Sequence, residues 1–195
     1  MIEPAMPIGV VLAGGASRRF GSDKGSLTID GRSLTERALA VLSRACDEVA
    51  VASRGRHMPG ARLVADGPGS GPAAGILGAA NAFPGRSLLV LACDLPAVSE
   101  PLLARLLDDR NLDWLLPRHS GRVEPLCARY GPAALAALEE QVATGDFALH
   151  HLQRADLRIG YLENEALGRF GTPRELFLNI NTPEDLKSLA KVDLA

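Results

Sequence analysis

Runs of apolar residues alternate with mixed apolar–polar stretches along the first two thirds of the chain. Ile8 to Leu12 is a short, β-rich apolar run that ends at Gly14-Gly15, so it reads as a buried strand leading into a loop. Ser33-Leu34-Thr35-Glu36 has capping-box spacing and opens an apolar pattern at Leu34, Ala38, Val41, Leu42 and Ala45, which predicts a helix. Strands are expected at Glu48–Ser53 and Arg62–Ala65, then a glycine-rich loop and a helix over Ala73–Ala82. Ser87 to Cys93 is the most apolar strand and stops at Asp94. Ser99 is expected to cap the next helix, with Glu100 and Pro101 in its first turn. Strands over Asp113–Pro117 and Glu124–Tyr130 precede a helix over Pro132–Thr144, closed by Gly145. A less regular stretch runs to Leu178, and Thr182-Pro183 starts a last helix.

Strands alternating with helices predict an α/β fold: one domain over residues 1–195, with a mostly parallel sheet flanked by helices. Composition agrees. Of the 195 residues 47% are hydrophobic but only 4% aromatic, so the core is aliphatic, as a sheet covered on both faces requires. A net charge of −2 without a Lys/Arg stripe predicts no nucleic-acid partner. No apolar run is long enough to span a bilayer, and Met1 to Pro7 does not read as a signal peptide. Cys46, Cys93 and Cys127 are odd in number and widely spaced, which predicts a reducing, cytoplasmic setting without disulfides or a zinc site. The four histidines form no ligand or triad spacing.

In wound sheets of this kind ligands sit beyond the carboxyl ends of the strands. Three segments there carry chemistry. In Leu12 to Lys24, Gly14 and Gly15 let the backbone approach a phosphate, and Arg18, Arg19 and Lys24 add positive charge. The spacing fits neither a Walker loop, because Gly21 is followed by Ser22-Asp23, nor a dinucleotide fingerprint. In Asp66 to Gly75, an acidic residue ends a strand and Gly71-Pro72 opens a helix, whose free N–H groups form a positive end. In Cys93-Asp94-Leu95-Pro96, a strand-tip carboxylate is placed to hold Mg²⁺, a hard cation that prefers oxygen.

Leu12-Ala13-Gly14-Gly15, with Ser17, Arg19, Gly21, Asp23 and Lys24, resembles the signature of the molybdenum cofactor guanylyltransferases. Phe20 stands where that family usually has Met, and Ala52-Ser53-Arg54 lacks the Asn often found after the second strand. Gly71-Pro72-Ala73-Ala74-Gly75, Cys93-Asp94-Leu95-Pro96, Pro125-Leu126 with Tyr130, and Asn179-Ile180-Asn181-Thr182-Pro183-Glu184-Asp185-Leu186 extend the resemblance across most of the chain.

The resemblance implies a nucleotide-diphospho-sugar transferase-like fold and a cytoplasmic enzyme. Such an enzyme moves GMP from GTP onto molybdenum–molybdopterin and releases pyrophosphate. It implies that Leu12, Ala13, Gly14, Gly15, Lys24, Asp66, Gly71 and Asp94 bind nucleotide. Asp66 would meet the guanine edge or the ribose. Arg19, Lys24 and Asp94 would be catalytic, with Asp94 on Mg²⁺, and Pro125, Asn179 and Asn181 would face the acceptor. Asn181 would serve either the metal or the pterin edge. Molybdoenzyme apo-proteins or their chaperones are the partners implied. A cytidylyltransferase acting on molybdopterin or a sugar phosphate, and a non-catalytic nucleotide or cofactor carrier, are the alternative readings.

Overall fold

The computed structural model describes residues 6–13, 27–53, 58–180 and 185. Its centre is a mixed sheet built from β1 (Ile8–Leu12), β4 (Val49–Ala52), β5 (Arg62–Val64), β6 (Leu88–Ala92), β7 (Trp114–His119), β9 (Cys127–Tyr130) and β10 (Ile159–Leu162). The spatial order is β10-β7-β9-β6-β1-β4-β5. Every strand in this path runs parallel to its fellows except β9, which lies antiparallel between β6 and β7. A short strand β8 (Arg122–Val123) folds back on β7, and β2 (Thr28–Ile29) and β3 (Arg32–Ser33) form a separate small hairpin. The expected α/β architecture is therefore present, with one antiparallel strand inside it.

Alternation along the central strands assigns the two faces. Val11, Val51, Leu89 and Leu91 pack with Leu34, Leu39 and Leu42 of α1 (Leu34–Ala45) and Leu102, Leu103 and Leu106 of α3 (Glu100–Leu107). Val10, Leu12, Ala50, Leu88 and Val90 pack on the opposite side with Ile76 of α2 (Gly71–Ala82) and Leu135 and Leu138 of α4 (Pro132–Ala143). Both faces are dry, which is why β1 and β6 read as unbroken apolar runs.

The capping box of α1 forms as expected: Glu36 N–H donates to Ser33 Oγ at 3.2 Å, and Ser33 N–H donates to Glu36 Oε2 at 2.7 Å. Ser99 occupies the cap position of α3, but its side chain makes no capping bond. Helix α2 begins at Gly71, two residues before the expected start, because Pro72 fits the first turn. The expected strand Glu124–Tyr130 begins only at Cys127. Pro125 has no N–H to donate to a ladder, and Glu124 Oε1 takes the Leu126 N–H at 3.3 Å, so residues 124–126 turn instead. The stretch read as irregular contains a 3-10 helix (Leu149–Arg154), β10, α5 (Asn164–Leu167) and α6 (Pro173–Leu176). The helix expected from Thr182 lies outside the described residues apart from Asp185. Among the described residues no helix is long and apolar enough to cross a membrane.

Candidate functional site

The parallel strands all end at one edge of the sheet, and the chemistry-bearing segments emerge there. Backbone bonds lock the central tips together. Ala13 N–H donates to Ala52 O at 3.0 Å, and Cys93 N–H donates to Leu12 O at 3.2 Å. Leu12 and Ala13 are buried, so the chain enters the glycine-rich segment from a rigid base. Gly14, Gly15, Arg18, Arg19 and Lys24 lie outside the described residues.

Asp94 lies just past the end of β6, after Cys93. It is half-buried, and its Oδ1 is shut away from solvent. Its carbonyl accepts from Ile180 N–H at 2.9 Å, which brings the Asn179-Ile180 segment to the tip of β6. Ile180 is fully buried, whereas Asn179 is exposed beside it. The same segment is held from a second side, where the His119 ring at the end of β7 stacks on Phe177 at 5.1 Å. Asn181 is outside the described residues.

Asp66 and Gly71 leave the sheet from β5, three strands from β6. Three strand spacings are roughly 14 Å, which sets this flank well apart from Asp94 along the edge. The loop between them is pressed onto α2. A Cβ on Gly78 would stand 1.9 Å from Ala65 O, and one on Gly67 would stand 2.6 Å from Gly78 N. Gly71 differs: its φ is +61°, yet nothing lies within 4 Å of where its Cβ would be. The start of α2 leaves its first N–H groups without helical acceptors beside that space.

On the other side of Asp94, the 124–126 turn starts β9. Leu126 O accepts from Ala92 N–H at 2.8 Å, so this turn is tied to the tip of β6. Pro125 O accepts from the buried Tyr130 hydroxyl at 2.9 Å. The structure therefore gathers Leu12, Ala13, Asp94, Pro125 and Asn179 around the centre of the edge, with Asp66 and Gly71 at one flank.

Glu124, absent from the residues expected in the site, lies in the turn that Leu126 ties to the end of β6. Burial pushes its carboxyl up to about 7, the Leu126 N–H pulls the other way, and the negative charge of Asp94 adds to the rise. A carboxylate immediately before the Pro-Leu pair was the signal available. Buried acidic groups with displaced titration concentrate at functional sites. Cys127 is also displaced upward, chiefly by burial, and is an inert core thiol rather than a nucleophile.

Residues 9–158 match the family model of the MobA-like NTP transferase domain. The chain is 38% identical to a probable molybdenum cofactor guanylyltransferase of Chloroflexus aggregans, over 93% of this chain and 92% of that one. It is 34% identical to another protein of that description from Pelotomaculum thermopropionicum, over 91% and 89% of the two chains. Among solved structures, the molybdopterin-guanine dinucleotide biosynthesis protein A of Archaeoglobus fulgidus superposes with a TM-score of 0.79 at 30% identity. That superposition covers 95% of this chain and 97% of the other.

Proposed function

The chain belongs to the family of MobA-like NTP transferases, and from that premise we propose that it transfers GMP from GTP to the molybdenum–molybdopterin cofactor. The products are molybdopterin guanine dinucleotide and pyrophosphate. The observation that carries this reading is the fastening of the Cys93-Asp94 pair just past β6, Cys93 to the tip of β1 on one side and Asp94 to Asn179-Ile180 on the other. One edge thus joins a nucleotide half, from Leu12 to Gly71, to an acceptor half, from Pro125 to Asn179.

In the proposed reaction an oxygen of the pterin's terminal phosphate attacks the α-phosphorus of GTP. A new P–O bond forms, the bond from the α-phosphorus to the bridging oxygen breaks, and pyrophosphate leaves with the electron pair. The attacking phosphate is already anionic near neutral pH, so no general base is required. Positioning and charge neutralisation then carry the catalysis. Leu12, Ala13, Gly14 and Gly15 present backbone to the triphosphate. Arg19 and Lys24 offset charge on the α-phosphate and the leaving group. Asp66 and Gly71 receive the nucleoside end, while Pro125, Asn179 and Asn181 face the acceptor. The Asp94 carboxylate suits a hard divalent cation, read here as Mg²⁺, which would neutralise the triphosphate and polarise the α-phosphorus.

The reading includes one nucleotidyltransferase domain over residues 1–195 and work in the cytoplasm. It also includes delivery of product to molybdoenzyme apo-proteins or their chaperones. The test is pyrophosphate release over the four NTPs, with and without the pterin acceptor. Release with GTP that depends on the acceptor supports the assignment. Faster release with CTP would reassign the chain as a cytidylyltransferase, and nucleotide binding without release would make it a carrier.

A further inference from the structure

Glu124 is fixed in place by the backbone around it. Its N–H donates to Pro117 O at 2.9 Å, and its carbonyl accepts from Cys127 N–H at 3.3 Å. Two residues on, Leu126 O takes the Ala92 N–H, which anchors the turn to the end of the strand that delivers Asp94. The Leu126 N–H on Oε1 then restrains the carboxylate itself. The result is two carboxylates, from β6 and from the turn before β9, held on neighbouring strand ends and largely removed from bulk water. Among the described residues no Lys or Arg pairs with Glu124.

Two oxygen-donor carboxylates are the donor set that Mg²⁺ and Mn²⁺ select. We propose that Glu124 is the second carboxylate of the divalent-cation site centred on Asp94. This inference rests on the reading of Asp94 as a metal-holding residue and adds a ligand from the acceptor half of the sheet. It makes the cation a bridge between the halves: β6 supplies one carboxylate and the turn carrying Pro125 supplies the other. A cation so held is in position before the acceptor arrives, and Glu124 sets where it sits relative to Pro125.

The test is Mn²⁺ titrated calorimetrically onto the protein, alone and with saturating GTP but no acceptor, so that no turnover occurs. Wild type, Glu124→Gln and Asp94→Asn are compared, with circular dichroism to verify folding. Glu124→Gln is expected to weaken Mn²⁺ binding by about tenfold or more, and Asp94→Asn by at least as much. If Glu124→Gln binds Mn²⁺ like wild type while Asp94→Asn does not, the inference fails and the reading of Asp94 stands. If neither variant changes binding, or wild type binds no Mn²⁺, both fail. Should Glu124→Gln not fold, Glu124→Asp retracts the carboxylate by one methylene while keeping its charge. Unchanged Mn²⁺ binding in that variant overturns the proposal, and weakened binding supports it.

Discussion

Ile180 donates its backbone N–H to the carbonyl oxygen of Asp94 at 2.9 Å, so the segment carrying Asn179 hangs from the same strand tip as the site's central carboxylate. The Asp94 backbone is held by this bond, and its neighbour Cys93 is held by the Leu12 carbonyl. Its side chain can therefore be altered with the frame intact. Asp94→Asn is expected to lower kcat by about a hundredfold or more, on the order of 3 kcal/mol of transition-state stabilisation. Its melting temperature should stay close to wild type. A variant with near-normal turnover would remove Asp94 from the catalytic machinery.

Gly78 and Ala65 are in backbone contact, and the loop bearing Asp66 depends on it. A methyl group on Gly78 would sit 1.9 Å from Ala65 O and 2.8 Å from Gly67 N, neither of which is a flexible side chain. Gly78→Ala should force the loop off α2. We expect a loss of about 1–3 kcal/mol in denaturant unfolding together with a raised KM for GTP. A lowered stability with unchanged KM would show that the loop position does not matter to nucleotide binding.

Gly71 tests the same flank without a steric clash. With φ at +61° an alanine there carries the left-handed penalty of about 1–2 kcal/mol, but its methyl meets no atom of the described residues beyond its own chain neighbours and helix within 4 Å. If nucleotide fills that space, Gly71→Ala raises KM for GTP several-fold and leaves kcat near wild type. A change confined to stability would place the nucleotide elsewhere.

Much of this architecture is legible in the sequence because burial leaves a plain mark. Ile8–Leu12 and Leu88–Ala92 are apolar throughout since helices cover both their faces, and the Ser33–Glu36 box announces α1. What escaped sits where that mark fades. Strand β10 lies at the sheet's edge with only Leu162 fully buried, and Gly160 interrupts it because Leu112 packs where a Cβ would be, 2.2 Å away. The antiparallel run of β9 and the turn before it are settled by Pro125 and by tertiary bonds to Ala92 and Pro117, which no local periodicity encodes. The place of Glu124 follows from the same bonds: the carboxylate before Pro125-Leu126 is visible in the sequence, but only the folded turn, tied to Ala92, brings it toward the strand end that precedes Asp94.

Arg129, in the middle of β9, is 2% exposed and looks at first like a site cation. Its guanidinium instead donates to Leu106 O at 3.2 Å, Asp109 O at 2.6 Å and Leu112 O at 3.0 Å, closing the carbonyl end of α3 and the loop beyond it. Burial lowers its pKa, and these carbonyls compensate for the lost hydration. Arg129→Met should strand the carbonyls and lose about 3 kcal/mol or more, while kcat/KM per folded molecule is unchanged. A fall in kcat/KM in fully folded protein would contradict a purely structural role.

Acid stability should report the edge of the sheet through Asp113 and Arg158. Arg158 Nε and Nη2 donate to the two Asp113 oxygens at 3.1 and 2.8 Å, and its backbone N–H adds a third bond at 2.9 Å. These bonds join the start of β10 to the start of β7 and hold the Asp113 carboxyl down to about 2. Because the folded pKa lies below the unfolded one, near 3.9, the pair's contribution is fully present above about pH 4. It drains away as pH falls toward 2. Asp113→Asn should therefore be less stable than wild type at pH 7, and the gap should close between about pH 4 and 2. Melting temperatures of both proteins across that window measure it directly. Curves that stay parallel down to pH 2 would mean that ionised Asp113 gives β10 no net hold on the sheet.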